Sequence, residues 1–297
     1  LADRSDRGWL LGWRDITNTS NERTMIPCLF PRAGAGHVFP LALLHRDGGD
    51  SGNSGALDLA LLLAVWSSLA FDYVTRQSLS GTHLTYGVIK QLACPPPPAI
   101  DAPFPESWMH GSVGIHETRR GSPTQMRAHE QSQTARTASE DRPPEFDADH
   151  ESFAMARARI ASRSAIDDDS YREKSGELAT IPALPPEPIP TLRDFIVPRV
   201  LELTYTSHRM APFARDLGHD GPPFSWDPDR RALIQAELDA VMMHVYGLTR
   251  AEVEHVLDSF PVLCKYEERD HGEFRTRRLV LDYYDDFDRR PAQITPV

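Results

Sequence analysis

GHDGPPFSWDPDRRALIQAELDAVMMHVYGLTRAEVEHVLDSFPVLCKYEERDHGEFRTRRLVLDYYDDF, residues Gly218–Phe287, sets the class of the C-terminal third of this chain. Asp227 is a helix N-cap and Pro228 follows at the first helical position, where its missing N–H costs nothing. The helix predicted from there runs over Arg230–Tyr246, and Gly247 stands where a helix is closed by a left-handed residue. Thr249 and Glu252 have capping-box spacing for the next short helix. Pro261–Lys265 reads as a strand or turn, and Arg275–Phe287 as a last helix.

Upstream, TLRDFIVPRVLELTYTSHRMAPFARDLG predicts a helix broken near Pro198. Residues 189–297 are therefore expected to form a mainly helical C-terminal domain. Residues 1–98 read differently. In GWLLGWRDI, Trp9, Leu11 and Trp13 alternate as on a strand. Met25–Phe30 is a short apolar strand, and Pro27 within it favours a sheet edge or a break. Leu57–Arg76 has apolar residues at helical spacing and predicts one helix. The expected class is α+β: a small mixed α/β domain, then the helical one. Between them, residues 99–188 are polar, proline-rich and without an apolar period. That composition predicts a low-complexity linker or insertion, largely disordered.

Composition bounds the function. The 297 residues carry a net charge of −11, which argues against a general coat on nucleic acid but leaves room for a local basic face. Three distant cysteines with no CxxC pair exclude a zinc ribbon and fit a reduced, cytoplasmic setting. The apolar run Leu59–Phe71 is too short to span a membrane and reads as a core helix. Leu1 in place of Met is what the tail of a longer polypeptide would show.

Two long patterns carry a family likeness. The first is WRDITNTSNERTMIPCLFPRAGAGHVFPLALL with LLAVWSSLAFDYVTRQSLSGTHLTYGVIKQLACPPP. It resembles the TaqI-like specificity domain, which reads the DNA target in large bacterial restriction–modification methylases of the Eco57I-like, type IIG-like kind. The second is LELTYTSHRMAPFARDLGHDGPPFSWDPDRRALIQAELDA, with YGLTRAEVEHVLDSFPVL and GEFRTRRLVLDYYD. It is similar to the tail that follows that domain. In such proteins a short connector joins the two; here residues 99–187 separate them.

The resemblance implies adenine-N6 methylation from S-adenosylmethionine, in bacterial restriction–modification or phage defence. It implies double-stranded DNA as partner. The nearest string to the family's catalytic motif is GPPF, Gly221–Phe224, and Gly221 has no side-chain oxygen to accept from an adenine amino group. AGAGH at Ala33–His37 lacks the strand–loop–helix setting of a cofactor loop. No cofactor site is expected here; S-adenosylmethionine belongs to a methylase domain or partner chain expected N-terminal to this one. The chain alone is expected to be non-catalytic.

Candidate DNA contacts are Arg14, Asn21, Arg23, Thr24 and Arg32 on turns of the first block, with Arg76, Thr82, His83 and Lys90 around Gly81. Arg and Asn side chains can bond base edges or phosphates. The competing reading is a polar turn with internal salt bridges to Asp15 and Glu22. Arg275, Arg277 and Arg278 form the densest basic cluster, and Asp282, Asp285 and Asp286 one or two turns on predict pairing within that helix. His37, His83, His208 and His219 lack metal-ligand spacing. Three functions remain: a DNA-reading module, an enzyme of its own, or a non-catalytic interaction subunit of a defence complex.

Overall fold

The structure is a computed structural model that describes residues 7–44, 53–100, 102–103 and 191–289. The expected linker or insertion lies almost wholly outside the described residues. The described ends of that gap adjoin: Pro103 and Thr191 form an antiparallel bridge, and the Leu192 N–H donates to the Ala102 carbonyl at 3.1 Å. The chain leaves and re-enters the fold at one place, as an insertion does.

A small antiparallel sheet is built from β1 (Trp9–Trp13), β2 (Pro27–Pro31) and β3 (Leu41–Ala42) in the order β2-β1-β3. β1 is buried along its whole length because both its edges are paired and both its faces are covered. Gly12 is needed there: a Cβ would stand 2.5 Å from the Phe39 ring and the Pro40 carbonyl. β2 is an edge strand, as Pro27 foretold. Its paired bonds to β1 lie at Ile26 and Arg32 and alternate between them, so Pro27, Leu29 and Pro31 turn their backbone outward. Two of those three residues have no N–H to offer, which quiets the edge against pairing with another chain.

The helices of the first block are α1 (Asn53–Ser67), α2 (Leu69–Ser78), α3 (Tyr86–Ile89) and α4 (Pro97–Ile100). The single helix predicted over Leu57–Arg76 is in fact two, bent by 67°. Ser68 makes the break: its hydroxyl caps the Phe71 N–H, and the Leu69 N–H is taken by the Asp239 carboxylate at 2.7 Å. No single helix among the described residues is long and apolar enough to cross a membrane.

The second block holds α5 (Leu192–Thr204), a 3-10 turn at His208–Met210, α6 (Ala211–Asp216), α7 (Pro228–Val245), α8 (Arg250–Asp258), α9 (Pro261–His271) and α10 (Arg275–Arg289). The expected caps form. Asp227 accepts from the Asp229 and Arg230 N–H groups, Gly247 sits at φ +68°, and Thr249 and Glu252 close a capping box. Pro198 does not break α5. It removes one backbone bond, and buried Phe195, Ile196, Val200 and Leu201 hold the helix on either side. Pro261–Lys265 is neither strand nor turn but the start of α9, with Pro261 at its first position.

One continuous core joins the two blocks. Trp9, Trp13, Leu63 and Phe71 share it with Phe195, Val241, Tyr246 and Phe260. Polar ties cross the same seam: Trp9 Nε1 donates to Asp216 at 2.7 Å, and the Tyr246 hydroxyl donates to the Ala93 carbonyl at 2.8 Å. The fold is α+β, with the small sheet set against a mainly helical body.

Candidate nucleic-acid interface

The nine residues proposed as DNA contacts divide into three environments. Arg23, Thr24 and Arg76 lie on the seam between the blocks, around Asp72 of α2. Asp72 is wholly buried, and its carboxylate accepts from Arg23 Nε at 2.8 Å, from the Thr24 N–H at 3.0 Å and from the Met25 N–H at 3.2 Å. Arg23 also donates to the Ser67 carbonyl. Arg76 stands 3.6 Å from Asp72, donates to the carbonyls of Asn21, Glu22 and Ser259, and lies 4.1 Å over the Phe260 ring. Burial lowers its pKa, against the pull of Asp72. Thr24 is fully buried, and its hydroxyl donates to the Asn18 carbonyl. These three hold the NERT turn to α2. The internal ion pair foreseen as the alternative exists, though its acid is Asp72 rather than Asp15 or Glu22. Asn21 is half-buried beside them, and its amide reaches the Thr17 hydroxyl at 3.4 Å.

Arg32 stands apart. Its N–H donates to the Gly8 carbonyl and its guanidinium to the Arg7 carbonyl at 3.0 Å. That is the start of β1, while Arg14 is at its finish. Six residues of extended chain separate the two ends, roughly 20 Å. Arg32 and Arg14 therefore stand at opposite ends of β1.

Arg14, Thr82, His83 and Lys90 are exposed and gather at the finish of β1. The loop after β1 pairs with the loop after α2: Ile16 and His83 form an antiparallel bridge, and the Thr17 N–H donates to the Thr82 carbonyl at 3.0 Å. His83 Nδ1 lies 2.8 Å from an oxygen of Asp15, a buried carboxylate whose other oxygen has no partner. Lys90 is the C-cap of α3, whose N-cap Thr85 lies two residues beyond His83. Among the described residues the side chains of Arg14 and Lys90 make no ion pair or hydrogen bond.

Sequence reading missed the apolar part of this surface. Ile16, Val38 and Tyr86 are exposed large side chains at the same end of β1. The Val38 carbonyl accepts from the Asp15 N–H, while the Tyr86 ring meets Trp13 edge-on at 4.9 Å and its hydroxyl bonds the Leu41 backbone. The signal for Ile16 was available: it lies in phase with Arg14 and out of phase with the buried Trp13.

The basic cluster of α10 is committed elsewhere. Arg278 pairs with Asp282 along the helix, as expected, and with Glu273. Arg275 and Arg277 instead reach other helices, at Asp229 and Asp258. The GPPF string is a packed loop before α7, where the Gly221 carbonyl accepts from the Tyr205 hydroxyl and Phe224 stacks on His219. No three His, Cys, Asp or Glu side chains among the described residues converge as metal ligands would.

What fold and surface define is a small α+β unit that, at the finish of β1, offers cations unpaired among the described residues beside exposed apolar side chains. No protein-family profile, curated protein or solved structure matches the chain.

Proposed function

We propose that the chain is the sequence-specific DNA-recognition portion of a bacterial restriction–modification or phage-defence adenine-N6 DNA methyltransferase. Methyl transfer, with its S-adenosylmethionine, is assigned to a separate catalytic domain or chain. The likeness of the two sequence patterns to the TaqI-like specificity domain and its tail motivates this reading. The observation that carries it is the edge at Arg14, Thr82, His83 and Lys90, where two cations stand without acidic partners among the described residues, on a chain of net charge −11. Such cations suit phosphate, and Thr and His side chains beside them can reach base edges.

The test is selection of bound duplexes from a random DNA library by the chain, followed by sequencing. Enrichment of one short site, with affinity falling as salt rises, is expected. The chain alone should incorporate no labelled methyl group into that site. A flat library output with no salt dependence would turn the assignment to the second reading, a non-catalytic interaction subunit of a defence complex. Exposed Ile16, Val38 and Tyr86 on the same edge favour that alternative.

A further inference from the structure

A cavity of about 510 Å³ opens on the far side of β2 from β1, between the sheet and helices α1, α5, α7 and α9. It is remote from Arg14 and Lys90, neither of which lines it. Its size is that of a pocket for a small organic molecule. The walls are part polar and part apolar, with Leu29, Leu63, Leu203 and Leu263 forming the apolar part. α7 sets a polar stripe into this space. Arg231, Gln235 and Asp239 lie four residues apart, on one face of the helix, and all three line the cavity. Ala232 and Ala236 beside them leave the room open.

Arg231 is the unanswered group. Its guanidinium lies 3.8 Å from the ring of exposed Trp226 and donates to one neutral acceptor, the Leu203 carbonyl at 2.8 Å. Among the described residues no carboxylate pairs with it, whereas the adjacent Arg230 has Glu202 at 2.9 Å. A half-buried guanidinium with spare N–H donors and no carboxylate in contact, Glu202 acting on it only from a distance, is a costly feature to keep without a ligand. Of the acids that also line the cavity, Glu22 is exposed to solvent and the other two are answered from elsewhere. Glu267 accepts from the Thr276 N–H and hydroxyl, and Asp239 accepts from the Leu69 N–H and faces Arg23.

We propose that this cavity is a binding site for a small organic carboxylate, with Arg231 as the group that takes the carboxylate and the leucine walls holding an apolar body. The site stands independently of DNA recognition.

The experiment uses three probes that differ in one group: 2-naphthoate, 2-naphthamide and 2-naphthylmethylamine, titrated into the whole chain and followed by calorimetry. The expected result is that naphthoate binds best. Arg231→Gln should weaken it roughly ten- to a hundredfold, as loss of a charged hydrogen bond does. Ala232→Leu, which fills the cavity while leaving Arg231 in place, should weaken all binding. Thermal unfolding of both variants serves as the check on folding. Equal binding of the three probes, preference for the amine, no binding of naphthoate at millimolar concentration, or an Arg231→Gln chain that is folded and binds undiminished would each overturn the proposal.

Discussion

The finish of β1 and the NERT turn lie close in sequence and use the same residue types, yet they do opposite things. At the first, Arg14 is exposed and unpaired. At the second, Arg23 is folded against Asp72 and the Ser67 carbonyl. The difference is set by what faces each turn. α2 carries a buried acid with two backbone N–H groups already bonded to it, and Arg23 and Arg76 complete its surroundings. Among the described residues no carboxylate pairs with Arg14. The comparison teaches that an arginine in a turn is read by its partner, and that partner lies 49 residues away in the chain.

The largest effect should come from removing the partner. Asp72→Ala leaves two half-buried guanidinium groups and two backbone N–H groups without their acceptor. We expect a loss of about 3–5 kcal/mol of stability, read as a lower midpoint in urea unfolding. A shift under about 1 kcal/mol would mean that the seam is held by packing alone and that Arg23 is free to leave it.

Asp239 should move stability the other way. It is buried at the same seam, facing Arg23 from the NERT turn and Asp72 from α2, and burial pushes its carboxyl from 3.8 up to about 6. The folded chain therefore holds this proton more tightly than the unfolded one. Ionising it disfavours the fold, so its contribution is intact below about pH 4 and is lost as the pH rises to 6. Asp239→Asn keeps an acceptor for the Leu69 N–H and removes the charge. Above pH 6 the variant should be more stable by up to about 3 kcal/mol, and the gain should fade towards pH 4. A constant difference across that range would show that Asp239 is not the titrating group.

Arg23→Ala comes next, with a stability loss of roughly 1–3 kcal/mol, since Arg76 and the backbone donors still serve Asp72. Its salt dependence of DNA binding should match that of the parent chain. A changed salt slope with unchanged stability would reverse the comparison and return Arg23 to the DNA face.

What could be read beforehand was whatever is local. Asp227–Pro228, Gly247 and the Thr249–Glu252 pair mark helix ends through bonds spanning two to five residues, and all three are found as read. The edge position of β2 followed from Pro27 for the same reason. What failed was decided at a distance. The break at Ser68 depends on an acid 170 residues from Leu69. Pro198 survives inside α5 because of what packs on the helix, and Pro261 heads a helix with a signal a turn would share. For the site, the exposed members were legible as polar turn residues, but their separation from Arg23, Arg76 and Arg32 needed Asp72 and the strand register. The polar stripe on α7 that faces the cavity reads in sequence as ordinary helix.

The smallest effect is the one that tests function. Arg14 and Lys90 are exposed, and neither supports the fold by any side-chain bond among the described residues. Arg14→Ala and Lys90→Ala should therefore leave the unfolding midpoint within about 0.5 kcal/mol of the parent. If the edge at the finish of β1 lies on phosphate, each change removes one contact. The slope of log affinity against log salt should then fall by about 1 per residue, evenly across DNA sequences. If Arg14 instead bonds a base edge, affinity should drop by about 1–3 kcal/mol with relaxed preference at a single position. Titration of the selected duplex and of a scrambled one at two salt concentrations separates these outcomes. Should both variants bind like the parent in slope, affinity and preference, the unpaired cations serve something other than DNA. The contrast with Arg23 would then be one between a structural arginine and an idle one.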